Sequence, residues 1–105
     1  MDSLPTSANQ EDHVSMATNA ALRLAPMTEN TASIAAIELL AAAQGVELRA
    51  PLATSPRLQD ALRVIRAEVA FWERDRAFAP DLARAKALVE SGAFTKFVSA
   101  PLVAA

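Results

Sequence analysis

The segment that decides the fold reads SPRLQDALRVIRAEVAFW, residues 55–72. Ser55 and Pro56 form a typical helix start, because a hydroxyl caps free backbone N–H groups and proline suits the first turn. Apolar residues then recur at spacings of four, three, four and three residues, the period of one helix face. A helix is therefore predicted over residues 55–74. Its apolar seam consists of Leu58, Leu62, Ile65, Val69 and Trp72.

On the N-terminal side, a longer helical pattern covers residues 12–45, after an irregular lead-in over residues 1–11. Ile34, Ile37 and Leu40 mark its apolar face at helical spacing. Asn9 or Asp12 could cap the start of this helix. We expect a kink or a break at Pro26, because proline lacks the backbone donor, and a C-terminal cap at Gly45.

On the C-terminal side, a short helix is predicted over residues 80–92, with Asp81 in its first turn and Gly92 at its end. Residues 74–76, Arg-Asp-Arg, are expected to form a solvated ion-pair cluster. No strand-like alternation is convincing. The predicted class is all-α: a long kinked helix followed by two shorter helices, as a piece of a larger helical bundle.

Composition limits the possible functions. The chain has 105 residues, enough for one domain, and 52% of them are hydrophobic. Five aromatic residues, one Trp and four Phe, offer few large side chains for a private core. Ten basic and twelve acidic residues are interspersed without a basic stripe, so nucleic acid is not an expected partner. No membrane span or signal peptide is indicated, and we expect a cytoplasmic protein.

The most informative polar stretch is SANQEDHVSM, residues 7–16, which contains the chain's single histidine. Metal binding needs several convergent ligands, and adjacent helical residues such as Glu11, Asp12 and His13 point in different directions. We therefore predict no metal site. From spacing alone, acidic residues at a helix start usually act as caps.

The same stretch resembles, residue for residue, an active-site motif near the C-terminus of the histidine ammonia-lyases, a branch of the aromatic amino-acid lyase family. The resemblance covers nearly the whole chain but only about the last fifth of such an enzyme. It continues through the segments ENT (29–31), AIELLAAAQG (36–45), PLATSP (51–56), DR (75–76), APD (79–81) and SG (91–92).

The resemblance implies a reaction: these enzymes convert L-histidine to trans-urocanate and ammonia. They use a methylidene-imidazolone electrophile formed from an Ala-Ser-Gly tripeptide of the same chain, and a tyrosine is thought to remove the β-proton. By the same resemblance, Glu11 is the catalytic and substrate-binding residue, contacting the substrate imidazole or ammonium. Gln10 lies beside it and would organise hydrogen bonds near the electrophile. Phenylalanine-type lyases carry an amide in place of Glu11, so the carboxylate favours histidine as substrate.

The chain departs from the family pattern in what it lacks. It contains no Ala-Ser-Gly tripeptide and no tyrosine, so we predict that it is inactive in isolation. The implied partners are the missing N-terminal part of the lyase and further subunits of a homotetramer. The family continues upstream of Asp2-Ser3, so the resemblance implies a truncated gene, a fragmentary record or a misassigned internal start.

A different class of function remains open: a free-standing helical oligomerisation or interaction fragment, or a gene remnant without catalysis. We also expect the isolated chain to self-associate, because its apolar helix faces lack partners. Glu38 interrupts an apolar helix face. It is predicted to pair with an arginine from elsewhere in the enzyme or from a neighbouring subunit.

Overall fold

The computed structural model describes residues 4, 5, 7–10 and 13–98. It divides between Thr31 and Ala32 into two compact units. The all-α class is confirmed, with a long first helix followed by two shorter ones. The helices among these residues are α1 (Ala17–Glu47), α2 (Pro56–Glu68) and α3 (Ala79–Glu90). Short elements accompany them: the strands β1 (Leu4–Pro5) and β2 (His13–Val14), and 3-10 turns at Ser7–Asn9 and Thr95–Phe97.

The first unit begins with a small hairpin that the sequence did not predict. β1 and β2 pair antiparallel, with Leu4 opposite Val14 and Pro5 opposite His13. This pairing holds residues 13–14 in extended backbone, so α1 begins at Ala17 rather than at residue 12. Asn9 lies in the turn between the strands and does not cap the helix, while Asp12 lies outside the described residues.

Helix α1 extends past both Pro26 and Gly45. Pro26 lies inside it without a break, since residues 17–31 are exposed and water can bind the carbonyl group that proline leaves without a partner. Gly45 is not the cap, because the helix runs two residues further, to Glu47. A Cβ atom at Gly45 would meet nothing within 4 Å.

The second unit contains the buried core. Its buried apolar residues come from all three helices and from the end of α2. Three of them are alanines, and small side chains at a contact allow helix axes to approach closely. The core residues are Ala36, Leu40, Ala43, Ile65, Val69 and Ala85.

Helix α2 begins as predicted but ends early. The Ser55 hydroxyl accepts a hydrogen bond from the N–H of Leu58 at 3.4 Å, and Pro56 is the first helical residue. The helix ends at Glu68, and Val69 is extended, with φ −129° and ψ 113°. The predicted helix over residues 55–74 is therefore too long by six residues, and Trp72 packs from an extended connector.

The side chain of Gln44 accounts for that early end. Its Nε2 atom donates to the carbonyl of Trp72 at 3.0 Å, and its Oε1 atom accepts from the N–H of Trp72 at 3.2 Å. Both polar groups of one connector residue are therefore bound to α1 rather than to the next helical turn. The pairing joins residues 28 positions apart.

Helix α3 ends at Glu90, followed by a left-handed glycine as predicted. Gly92 has φ +71°. Its N–H donates to the carbonyl of Val89 at 3.1 Å, and the N–H of Ala93 donates to the carbonyl of Leu88 at 3.2 Å. These two bonds form a Schellman motif, which satisfies carbonyl groups at the helix end.

Candidate functional site

The loop between β1 and β2 holds the sequence-predicted site. Ser7, Ala8 and Asn9 all have positive φ, at 50°, 52° and 70°. The N–H of Gln10 then donates to the carbonyl of Ser7 at 3.0 Å. All four residues are exposed. The described part of the loop is therefore a tight left-handed turn presented to solvent.

This backbone is costly for residues that have a Cβ atom. The left-handed region disfavours L-residues by about 1–2 kcal/mol each, and only glycine and, less readily, asparagine visit it routinely. Asn9 suits its position, whereas Ala8, with φ 52° and ψ 34°, gains nothing from its side chain. Strained backbone of this kind clusters at functional sites, where surrounding structure stabilises it.

The turn is followed by the first of the polar residues that the sequence singled out. Gln10 is exposed immediately after the turn. Glu11 lies outside the described residues, so its position is not part of the geometry. His13 is exposed in β2 opposite Pro5. The structure thus places Gln10 directly after the turn and His13 in the strand pair.

A second polar cluster surrounds Asp81, which is 4% exposed. The indole Nε1 of Trp72 donates to Asp81 Oδ2 at 2.8 Å, and Nε of Arg76 donates to the same oxygen at 2.9 Å. Arg84 lies 3.5 Å from the other carboxylate oxygen. Arg76 also donates to the carbonyl of Ala70 at 2.9 Å. The sequence predicted a solvated Arg-Asp-Arg cluster at residues 74–76. Arg76 is not part of such a cluster, because it binds Asp81 and a backbone carbonyl.

These contacts keep Asp81 ionised. The hydrogen bond from Trp72 is the largest influence and lowers the pKa of Asp81. Burial acts in the opposite direction, and the hydrogen bond and charge of Arg76, with the charge of Arg84, add to the lowering. The net pKa lies below the ordinary aspartate value of 3.8. A carboxylate held in this state accepts hydrogen bonds from the connector and does not supply protons near neutral pH.

A third cluster ties α2 to the end of α1. Nε of Arg66 donates to Glu47 Oε2 at 2.8 Å, and its NH1 donates to the carbonyl of Val69 at 3.2 Å. The same guanidinium lies 5.7 Å from the ring centre of Phe71. In the described part of the chain, every buried side-chain nitrogen and oxygen has a hydrogen-bond partner. Both this cluster and the Asp81 cluster join separate elements through buried or half-buried bonds, so both stabilise the fold.

The remaining surfaces carry little chemistry. An apolar groove of about 210 Å³ lies between α1 and α2 and is lined almost entirely by aliphatic side chains, including Leu39, Leu58 and Leu62. Within residues 4–5, 7–10 and 13–98, no three His, Cys, Asp or Glu side chains converge as metal ligands. No helix in these ranges is long and apolar enough to cross a membrane. Glu38 is exposed on α1.

The chain belongs to the aromatic amino acid lyase family: the model of that family matches residues 1–67. The matched residues include the hairpin loop and α1 but not Asp81. The loop is therefore the candidate site that the family match covers.

Comparison with individual proteins shows which members of this family the chain is similar to. The chain is 61% identical over 103 residues to the histidine ammonia-lyase of Desulfotalea psychrophila, covering 98% of this chain and 20% of that protein. It is 64% identical over 96 residues to the histidine ammonia-lyase of Aromatoleum aromaticum, covering 91% and 18%. The crystal structure of histidine ammonia-lyase from Trypanosoma cruzi matches with a TM-score of 0.76 at 41% identity, covering 91% and 19%. The chain thus spans about a fifth of the length of the curated relatives it matches.

Proposed function

We propose that this chain is the C-terminal part of a histidine ammonia-lyase, which converts L-histidine to trans-urocanate and ammonia. The observation that carries the proposal is the sequence motif at residues 7–16, which lies within the family-matched residues and whose Gln10 follows a strained, exposed turn. High identity to proteins named histidine ammonia-lyase supports histidine as the substrate.

Two residues have defined roles in this proposal. Glu11 contacts the imidazole or the ammonium group of the substrate, where a charge-assisted hydrogen bond orients the reacting molecule. Gln10 organises the hydrogen bonds beside it. Replacing the carboxylate at position 11 with an amide would remove the charge that makes this contact strong. The carboxylate therefore favours histidine over an apolar aromatic amino acid.

The remaining chemistry comes from polypeptide outside this sequence. In the family, the methylidene-imidazolone group supplies the electrophile, and it forms from an Ala-Ser-Gly tripeptide. This chain has no such tripeptide and no tyrosine, so its own residues do not fit the group. We propose that the rest of the lyase provides both, in a cytoplasmic homotetramer, and that the 105-residue chain alone is inactive.

A first experiment tests the inactivity of the isolated chain. The purified 105-residue protein is incubated with L-histidine while urocanate absorbance is followed. No turnover is expected, because a cofactor that carries the hard chemistry is absent. Sustained urocanate formation proportional to protein concentration would contradict this part of the proposal.

A second experiment tests the family function directly. In the Desulfotalea psychrophila enzyme, the segment that matches this chain is replaced by residues 2–105, which gives the chimeric lyase. Urocanate formation at a rate near that of the parent enzyme is expected, because 61% of the aligned positions are identical. A chimeric lyase that assembles like the parent but forms no urocanate would contradict the proposal.

Sequencing the coding DNA upstream of Met1 separates the enzyme from the non-catalytic alternatives. An uninterrupted frame that encodes Ala-Ser-Gly and tyrosines supports a working lyase. Stop codons or unrelated sequence support an interaction fragment or a gene remnant.

A further inference from the structure

The second half of helix α1 has an exposed stripe on the side that does not contribute to the core. Its residues are linked by spacings of three and four positions, so they lie along one side of the helix. All of them are exposed, and the isoleucines at 34 and 37 are 64% and 52% exposed. The buried residues of α1 lie on the other side. We call this surface the outer stripe; it consists of Ile34, Ile37, Glu38, Ala41 and Gly45.

Glu38 is the one charged residue of the outer stripe. Its helical neighbours, three and four positions away on either side, are Ile34, Ala35, Ala41 and Ala42. None of them can pair with a carboxylate. Among the residues that the structure describes, no hydrogen bond or ion pair reaches the Glu38 side chain. Burying a charge without a partner is costly, so a surface that covers the outer stripe must supply a guanidinium or an ammonium group.

Gly45 indicates that another chain comes close to the outer stripe. It lies inside α1, where a glycine lowers stability relative to alanine. A Cβ atom at Gly45 would meet nothing within 4 Å, so packing within the chain does not require a glycine there. Ala41, one turn earlier, is also small. Since the distance between packed helices depends on the side chains at the contact, this pair suits the close approach of a second helix.

Charge and chain length favour one occupant over another. A second copy that paired stripe to stripe would bring a second carboxylate and no lysine or arginine. The rest of the polypeptide is about four times as long as this chain, which covers 20% of its Desulfotalea psychrophila relative. A segment attached to the same chain also acts at a high effective concentration. The rest of the same polypeptide is therefore the favoured occupant.

We propose that the outer stripe is the docking surface for a helix from the rest of the same lyase polypeptide. A lysine or arginine of that helix pairs with Glu38, and its backbone crosses α1 at Ala41 and Gly45. This inference rests on the proposed function, because it requires that the chain is part of a longer lyase. It adds a contact surface that does not include the motif at residues 7–16.

Charge variants of the chimeric lyase test the ion pair. Glu38→Gln should lower the Tm at a fixed heating rate by about 3 °C or more, because it leaves a covered cation without its partner. Glu38→Lys should lower the Tm further, since it places two cations together; failure to assemble counts as this larger loss. Glu68→Gln and Glu68→Lys make the same changes at an exposed position of α2 and should shift the Tm by less than about 1 °C.

Two results of this comparison would overturn the inference. One is a fall in Tm for the Glu38 variants that is no larger than the fall for the Glu68 variants. The other is a Glu38→Lys enzyme that is at least as stable as Glu38→Gln, because the residue facing position 38 would then not be a cation.

Gly45→Leu tests the close approach in two settings. In the 105-residue chain the leucine meets open space and favours the helix, so circular dichroism should show an unchanged or higher Tm. In the chimeric lyase the same leucine should lower the Tm by about 2 °C or more, because it crowds the docked helix. An unchanged chimeric lyase would overturn the inference. A fall in both settings would also overturn it, because the chain itself would already cover the stripe.

The oligomeric state identifies the source of the docked helix. Over about a hundredfold dilution, Glu38→Gln and the parent chimeric lyase should dissociate into subunits at the same concentration, because a contact within one subunit does not depend on assembly. Dissociation of Glu38→Gln at a higher concentration would assign the stripe to a neighbouring subunit and overturn the inference. Light scattering in which Gly45→Leu converts an oligomer of the 105-residue chain to a monomer would assign it to a second copy, with the same consequence.

The proposed function can fail separately from this inference. An unsubstituted chimeric lyase that assembles but forms no urocanate contradicts the proposed function, while the Tm comparisons still decide the docking surface. An unsubstituted chimeric lyase that does not assemble contradicts both.

Discussion

The two units of this chain differ in what they bury. From Ala17 to Thr31 every residue is exposed, including Leu22 at 73% and Met27 at 56%. From Ala32 onwards, six apolar residues, among them Leu40 and Val69, are buried in one cluster. The motif with the polar chemistry belongs to the first unit, and the core belongs to the second. The contrast teaches that this chain separates the residues that stabilise it from the residues proposed to act on substrate.

The largest expected effect comes from a substitution in the core of the second unit. Leu40 is 1% exposed, so Leu40→Ala should lower the free energy of unfolding by about 3–4 kcal/mol through lost burial and a residual cavity. Leu22→Ala, in the first unit, should change it by less than about 0.5 kcal/mol. Urea unfolding of the 105-residue chain, followed by helical circular dichroism, measures both. Equal losses would show that the two units do not differ in stability as described.

The next effect concerns the buried carboxylate. Asp81→Ala should lower the free energy of unfolding by about 2–3 kcal/mol, because the Trp72 indole and the Arg76 guanidinium lose a charged acceptor. The matched control is Glu90→Ala. Its partner Lys86 lies 3.6 Å away in a partly exposed i,i+4 pair, and such pairs near the surface are worth about 0.5 kcal/mol or less. A loss for Asp81→Ala no larger than the control would mean that the cluster does not stabilise the connector.

The same carboxylate gives the second unit a pH dependence. The folded pKa of Asp81 lies below its ordinary value of 3.8. Its contribution to stability is therefore fully present above that value and is lost as the pH falls through the lower folded pKa. Unfolding free energies measured from neutral pH down to strongly acidic solution should fall more steeply for the native chain than for Asp81→Asn. Parallel curves would contradict the assignment.

The smallest expected effects come from the two glycines. Gly45→Ala should raise the free energy of unfolding by about 0.5–1 kcal/mol, because Gly45 lies inside α1 with open space around it. Gly92→Ala should lower it by about 1 kcal/mol, since φ at Gly92 is +71°. Thermal unfolding of both variants should therefore shift Tm in opposite directions. A lower Tm for Gly45→Ala would indicate that this helix surface is covered.

Local signals in the sequence predicted much of the second unit. The Ser55-Pro56 start, the Gly92 end and the spacing of Leu62 and Ile65 all depend on neighbouring residues, and the structure shows each of them. The end of α2 was missed because the Gln44 amide reaches Trp72 from 28 positions away. Such long-range hydrogen bonds leave no periodic trace in the sequence.

The candidate site was predictable in a different way. Its residues, Gln10 and Glu11, were predicted by resemblance to a family motif and remain a proposal, while the hairpin and the left-handed turn were not predicted. Two-residue strands are too short to show alternation, and the positive φ values fall on Ser, Ala and Asn rather than on glycine. Asp81 was assigned only to a first helical turn. Its burial depends on Trp72 and Arg76, which approach it from the connector.

The most direct test of the central claim is the kcat/KM of the chimeric lyase with Glu11→Gln, compared with Glu68→Gln as a control. Glu68 is exposed at the end of α2. A loss of about tenfold to a hundredfold for Glu11→Gln, with little change for Glu68→Gln, is predicted because the substrate loses an orienting charge. An assembled enzyme whose urocanate formation is the same with Glu11→Gln as without it would contradict the claim that this chain contributes a substrate contact.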